Sequence, residues 1–502
     1  MKALIDAPLH PPCPTPFNMA QYVLAAGAQT PDKIALQILR ASGAERWSYA
    51  RLIDAVRATG TGLLRLGLLP GDRVLMRLGH TVDFPVAYLG AIAAGLVPVP
   101  TSTQLTRPEI TRMAATLAPA LVLAGEGAAL PDHPAPVLAP DALRAMQDLP
   151  PCDWHMGDPA RPGYIIYTSG SGGSPRAVVH AHRAIWARRM MWEGWYGLTA
   201  EDRVLHAGAF NWTYTLGTGL MDPWAIGATA LIPDPGAPLA LILKRFDATL
   251  FAAVPGVYRQ MLKEPARLAL PRLRHGLSAG EKLPEATRAA WHAATGTAIY
   301  EALGMSECST YISANPAQPA APGTAGRAQP GRRLAILGPE MTPVARGTEG
   351  VLALHRDEPG LMLGYLENAA PVLPLQGEWF LTGDRAMMAE DGAISYLGRD
   401  DDMMNAGGFR VSPLEVERAL MAHPAIHDIA CTEVSPRAGV SVIAAFYTAD
   451  APLAEDALQD FAAAHLARYK QPRIYRHCDS LPRSANGKLS RRALRAEFEG
   501  GA

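Results

Sequence analysis

The sequence predicts an α/β protein with a large N-terminal domain of layered α/β subdomains with parallel sheets and a small α+β domain after it. Three observations lead there. Short apolar runs alternate with helix-like stretches through most of the chain, the pattern of sheets layered with helices. At Gly398-Arg399-Asp400-Asp401-Asp402 the chain turns charged and exposed in character. Beyond it, about a hundred residues, enough for an independent core, carry a pattern of their own. The expected boundaries are 1–398 for the large domain, 399–402 for the joint and 403–502 for the small domain. Three adjacent aspartates also suit a plain solvated turn.

Taken in order, Asp72 to Leu78 reads as a strand and Phe84 to Ala94 as a mostly apolar helix leading into Val97-Pro98-Val99-Pro100. Gly163 to Ile166 is a strand-like run entering a glycine-rich loop. Val204 to Ala207, Thr229 to Ile232 and Ala298 to Tyr300 are further short strands between helical segments. Proline clusters near 131–136 and 316–330 mark surface loops or subdomain joints. In the last part Ser412 is placed to cap a helix starting at Pro413. Ser441 to Tyr447 then reads as a strand and Ala454 to Leu466 as a helix.

Composition narrows the function classes. Hydrophobic residues make up 49% and charged residues 19%, as in an ordinary globular chain. A formal net charge of −1 leaves no basic footprint for nucleic acid and no polybasic membrane signal. No apolar run has the length of a membrane span, and Met1 to Phe17, with five prolines, does not read as a signal peptide. Cys13, Cys152, Cys308, Cys431 and Cys478 are scattered without a CxxC pair, so neither a disulfide framework nor a zinc site is indicated. The chain reads as cytoplasmic. Only seven of its 46 basic residues are lysines, so a lysine at a chemically apt position is informative and an arginine less so.

The most telling segment is Tyr167-Thr168-Ser169-Gly170-Ser171-Gly172-Gly173-Ser174-Pro175-Arg176. Glycines let backbone N–H groups close around an anion, hydroxyls add donors and the guanidinium neutralises charge. The inventory suits a polyphosphate, although GxxxxGK[ST] does not align here and glycine-rich loops are often only loops. Ser278-Ala279-Gly280-Glu281 is a small-residue turn that a flat ring could approach. Gly304-Met305-Ser306-Glu307 sets a hydroxyl beside a carboxylate, suited to magnesium or to a helix cap. Trp379 to Asp384 places a carboxylate after a tight glycine turn, able to take both hydroxyls of a ribose. Leu481 to Lys488 would present one ammonium at a loop tip.

Each feature has an ordinary reading alone, but their order and spacing are those of one family. The segments YTSGSGGSPRAVVHAH, SAGEKLP, GMSE, WFLTGD, GRDDDMMNAGGFRVSPLEVE and LPRSANGKLSRR resemble the adenylate-forming superfamily of acyl-CoA synthetases, adenylation domains and luciferases. The resemblance runs from about Tyr22 to Leu494 and is nearest in pattern to benzoate-CoA-ligase-like enzymes. It implies activation of a carboxylate by ATP as acyl-AMP, release of pyrophosphate, and transfer to a thiol.

The resemblance also implies roles. Thr168, Ser169, Gly170, Ser171, Gly172, Gly173 and Arg176 would hold the β- and γ-phosphates, and Glu307 with Thr168 or Ser306 would position Mg²⁺. Ala279, Gly280 and Glu281 would border adenine, beside the Gly304-Met305-Ser306 turn, and Asp384 and Arg399 would hold the ribose. Lys488 would bridge the substrate carboxylate and the α-phosphate, where a compact ammonium fits better than a planar fork. The small domain would be mobile, swinging about Asp401 to withdraw Lys488 and bring Gly407 and Gly408 to the site, where pantetheine passes close to backbone.

The chain departs from the family pattern where Gly172 replaces a threonine, Arg176 a lysine and Ala177 a glycine, which is expected to weaken or rearrange ATP binding rather than abolish it. Phe210, Asn211, Tyr214 and Gly217 fall where the family lines its acid pocket, with Trp212 more at home in the core. Asn211 in place of an aspartate argues against an amino acid and favours an aryl or compact cyclic acid, with a short or medium acyl chain next. Coenzyme A is the expected acceptor. A carrier protein in trans, a homodimer, and a nucleotide-binding homologue without turnover stay open as alternatives.

Overall fold

The structure is a computed structural model that describes residues 1–6, 11–168, 175–263, 268–280, 283, 285–321, 323–399, 404–406, 409–411, 413–437, 440–482 and 491–500. Six parallel strands form the centre of its largest sheet: Ile34–Leu39, Thr229–Pro233, Arg203–His206, Leu250–Ala253, His275–Ala279 and Ile299–Met305. Ala44–Ser48 edges this sheet on one side and Ser309–Ser313 with Arg327–Ala328 on the other, all antiparallel. The central strands are almost wholly buried, which is why they read as continuous apolar runs rather than alternating ones.

A second parallel sheet joins Val97–Pro100, Arg73–Arg77, Leu121–Ala124 and Val137–Leu138. Between the sheets lie helices such as Tyr49–Arg65, whose Ser48 cap accepts a hydrogen bond from Arg51 N, and the apolar Asp83–Ala93. An antiparallel sheet contains Pro162–Thr168, Arg176–Ala181, Gly364–Glu367 and Ala370–Val372, so the phosphate-loop candidate spans one of its hairpins. Leu4–Asp6, Arg333–Leu337, Glu349–His355, Trp379–Met388 and Ile394–Arg399 form a fourth sheet.

The last part combines the strands Asp428–Arg437, Val440–Thr448 and Ile474–His477 with the helices Pro413–Leu420 and Glu455–His465. Met404, Val411, Val416, Leu420, Cys431, Ile443, Leu458 and Leu466 fill a core of its own. The fold is thus α/β with a smaller α+β part at the C-terminus. Ser412, the expected helix cap, lies outside the described residues.

Two local expectations need correction. Gly383 (φ 75°) does not make a tight turn but lies within the ten-residue strand Trp379–Met388. The pairing with Glu349–His355 shifts there, so the glycine allows a bulge at Thr382-Gly383-Asp384. Gly304 to Glu307 caps no helix. It ends one strand and begins the reversal into Ser309–Ser313, with a second register shift between Leu303 and Gly304.

Candidate active site

The carboxyl ends of the central strands are where an open α/β sheet offers a crevice. Here His275–Ala279 and Ile299–Met305 both end on a cleft of about 330 Å³, with Ala279, Gly280, Gly304, Met305, Ser306 and Glu307 on its wall. Thr168 and Arg176, from either end of the glycine-rich loop, face the same space, as do Asn211 and Tyr214. The structure therefore gathers residues distant in sequence around one cavity. Ser169, Gly170, Ser171, Gly172, Gly173, Glu281, Asp401, Gly407, Gly408 and Lys488 lie outside the described residues.

Glu307 is 8% exposed and accepts a hydrogen bond from Tyr365 Oη on its Oε1 at 2.8 Å. The guanidinium of Arg176 lies over the same tyrosine ring, 3.1 Å from its centroid. A planar guanidinium can lie flat on a ring where an ammonium cannot. Tyr365 therefore supports both the cation and the carboxylate, a role absent from the sequence reading because it lies far from either motif. The turn carrying Ser306 is fixed from behind by His180, whose Nε2 lies 2.7 Å from the Ser306 carbonyl oxygen. A carbonyl can only accept, so Nε2 bears the proton. Burial holds the ring neutral, with its pKa lowered to about 4.

On the adjoining wall, Thr382 and Gly383 line the cleft. Asp384 is buried beside them and is the cross-strand partner of Arg399, so the two expected ribose contacts come from neighbouring strands.

At the acid end two expectations change. Phe210 is not on the cleft wall; it is buried in a stack with His80 and Phe84, at centroid distances of 4.3 and 5.0 Å. Gly217 also lies off the cleft, where a Cβ would overlap the Arg188 guanidinium. Its missing side chain makes room for a cation, not for substrate. Gly217→Ala is expected to destabilise the fold by about 1–3 kcal/mol through this overpacking, readable as a lowered unfolding midpoint. Trp212, assigned to the core by sequence, does line the cleft and stacks on Phe409 at 5.8 Å. Tyr214 lines it too, its hydroxyl donating to the Leu277 carbonyl oxygen at 3.1 Å.

Behind this wall sits a buried ion pair. Arg188 donates through Nε and Nη2 to the two carboxylate oxygens of Asp222, at 2.8 and 2.6 Å, and both side chains are at most 5% exposed. Burial works against the cation, but Asp222 and the Tyr196 hydroxyl outweigh it and the Arg188 pKa is raised. Thr218, on the π-helical segment Thr215–Met221, and Ser309, at φ 66°, connect this pair to the cleft.

The C-terminal part completes the third side. Phe409 stacks on Tyr469 at 4.1 Å, and both line the cleft with Lys470. Lys470, one of the seven lysines, is buried between Glu415 (2.7 Å) and Glu109 (3.3 Å), the latter on the N-terminal helix Arg107–Leu117.

Residues 23–366 match the model of the AMP-binding enzyme family, and residues 415–488 that of the AMP-binding enzyme C-terminal domain. This chain belongs to the AMP-binding enzyme family. It is 32% identical to benzoate–CoA ligase of Thauera aromatica, over 95% of this chain and 92% of that one. It is 31% identical to 4-hydroxybenzoate–CoA/benzoate–CoA ligase of Rhodopseudomonas palustris, over 90% and 89%. Among solved structures, a benzoate CoA ligase from Burkholderia xenovorans LB400 has 27% identity and a TM-score of 0.68, with 95% of this chain and all of that one covered. An anthranilate CoA ligase bound to anthranoyl-AMP has 25% identity and a TM-score of 0.71, covering 97% and 98%. The chain is an enzyme of the AMP-forming ligase class. Among the described residues, no helix is long and apolar enough to cross a membrane.

Proposed function

We propose that this enzyme activates a compact, ring-bearing carboxylic acid with ATP as the acyl-adenylate, releasing pyrophosphate, and transfers the acyl group to coenzyme A. The observation that carries the reading is the convergence on one cleft of Arg176 at the end of the glycine-rich loop, the Glu307 carboxylate, the aromatic rings of Trp212 and Tyr214, and residues of the C-terminal part. The family match and the ligase relatives support the same reaction.

In the adenylation step two anions meet, so the protein's contribution is alignment and charge neutralisation. Arg176 and the loop after Thr168 would hold the outgoing phosphates. Ala279 and Gly280 would border adenine, and Asp384 with Arg399 would take the ribose. Glu307 and Thr168 would hold Mg²⁺, an ion that takes oxygen ligands and commonly only one or two protein carboxylates. When bound, it would supply charge for the departing pyrophosphate.

Lys488 would align the substrate carboxylate with the α-phosphate in this step. With the small domain turned about Asp401, Gly407 and Gly408 would admit pantetheine beside Phe409, a residue of the cleft wall.

Lys488→Ala is expected to abolish adenylate formation, followed as acid-dependent pyrophosphate release, while thioester formation from supplied acyl-AMP stays largely intact. Equal loss of both half-reactions would count against domain alternation. Arg176→Lys keeps the charge but loses the flat stack on Tyr365. It is expected to raise the KM for ATP several-fold, on the scale of a cation–π contact of about 0.5–2 kcal/mol, with little change in kcat. A collapse of kcat at unchanged KM would instead assign Arg176 to the transition state.

A further inference from the structure

The acid end of the cleft carries two hydroxyls whose proton directions are dictated by the ion pair behind them. Tyr196 Oη lies 2.8 Å from Asp222 Oδ2 and 2.8 Å from Thr218 Oγ1. A carboxylate only accepts, so the single tyrosine proton goes to Asp222. Burial, with the Asp222 charge beside it, holds the Tyr196 phenol well above its usual pKa, and it keeps that proton. Thr218 must therefore donate its own proton to Tyr196; with Arg188 Nη2 at 3.4 Å on one lone pair, one acceptor lone pair is left on this residue of the cleft wall. Ser309 is the reverse case. Its oxygen accepts from Arg188 Nη1, and among the described residues its proton meets only Met191 Sδ at 3.8 Å, a weak acceptor. Ser309 thus presents a donor, made a better one by the guanidinium that polarises its oxygen.

Both hydroxyls contact the same guanidinium, Thr218 at 3.4 Å from Nη2, and both residues line the cleft. One acceptor and one donor lie side by side there, held by groups that cannot turn without breaking a buried ion pair. Ser309 is held further by its backbone: φ 66° is a conformation that non-glycine residues adopt only where the surroundings impose it.

Resting on the reading of this cleft as an acid-activating site, we propose that Ser309 and Thr218 are specificity-determining residues that bind a hydroxyl substituent of the acyl group, Ser309 donating to its oxygen and Thr218 accepting its proton. A bare ring would leave the Ser309 proton with only the weak Met191 acceptor and the remaining Thr218 lone pair unused, which a site built for hydrogen bonding penalises. A second carboxylate offers only acceptors, so it would face the Thr218 lone pair, and the Arg188 charge is already matched by Asp222. An aryl amine donates well but accepts poorly. A hydroxyl answers both groups through a single oxygen, which suits a donor and an acceptor set by one guanidinium.

The test is kcat/KM for CoA-thioester formation with benzoate, the hydroxybenzoate isomers, an aminobenzoate and isophthalate, in the wild-type enzyme and in two variants. Thr218→Val keeps shape and removes the acceptor. Ser309→Gly removes the donor and suits the positive φ, which Ser309→Ala would not. One hydroxybenzoate isomer is expected to exceed benzoate about 10- to 100-fold in the wild type, on the scale of two neutral hydrogen bonds. Each variant is expected to remove about tenfold of that ratio, chiefly through KM. Turnover of several acids with the same ratios in all three proteins would overturn the assignment while leaving the ligase reading standing. Absence of thioester with every acid in the wild type would overturn both.

Discussion

Replacing Asp222 with alanine is expected to destabilise the large part of the enzyme by about 3–5 kcal/mol, the usual cost of removing one partner of a buried ion pair. The reason is geometric. The Arg188 guanidinium is wedged against Gly217 in the segment Thr215–Met221 and is 4% exposed, so it has no route to water once the carboxylate is gone. Arg188, Tyr196 and Thr218 would all lose their fixed orientation, because Asp222 is the acceptor that orders them. Removing both charges together, as Arg188→Met with Asp222→Leu, is expected to recover most of the loss, since a well-packed apolar pair often matches a buried ion pair in stability. Denaturant unfolding of the two proteins measures this. Equal instability of the single and double variants would show that the packing around Arg188, and not its charge, sets the cost.

The second large effect is expected at Lys470. Lys470→Met would leave Glu109 and Glu415 facing each other in a buried place, with an expected penalty again of about 3–5 kcal/mol. Glu415 already feels burial and the nearby Glu109, which raise its pKa against the lowering effect of Lys470. Here the cost has an outlet that Asp222 lacks. Glu109 belongs to the N-terminal part and Glu415 and Lys470 to the C-terminal part, so parting the two lets both carboxylates reach water. The expected result is therefore an opened joint rather than an unfolded chain. Limited proteolysis would cut near 398–403 more readily, while the unfolding transition of each part stays in place. Because this contact accompanies Phe409 at the cleft, CoA-dependent turnover should fall by roughly 10- to 100-fold, at 1.4 kcal/mol for each tenfold, more than acid-dependent pyrophosphate release. Adding Glu109→Gln and Glu415→Gln should restore much of it. Unchanged proteolysis in Lys470→Met would contradict the latch.

What was legible in the sequence was whatever rests on neighbouring residues. Arg73–Arg77, Asp83–Ala93 and Thr229–Pro233 lie where their apolar runs predict, and Pro413–Leu420 begins after the expected cap position. The cleft motifs were legible because each carries its chemistry within a few positions. The failures came where function depends on a partner far along the chain. Gly217 looked like a pocket glycine because nothing local announces the Arg188 guanidinium. Nothing near Tyr365 in the sequence announces Arg176 and Glu307, which only the fold places around it. Ser309 carries no local signal either, and only its φ and the ion pair behind it make it a directed donor. Lys470 could have been noticed, since in a chain with seven lysines one set next to a tyrosine and a proline-containing stretch stands out. Its two glutamates, however, come from distant parts of the chain.

Acid activation followed by transfer to coenzyme A is read most directly as pyrophosphate release from ATP with a panel of carboxylic acids, with and without CoA, together with mass detection of the acyl product. Release is expected only when a ring-bearing acid is present, with acyl-AMP formed without CoA and converted to the CoA thioester once CoA is added. Acyl-AMP that persists in the presence of CoA and moves only to a carrier protein would rule out this activity, as would an absence of acid-dependent release.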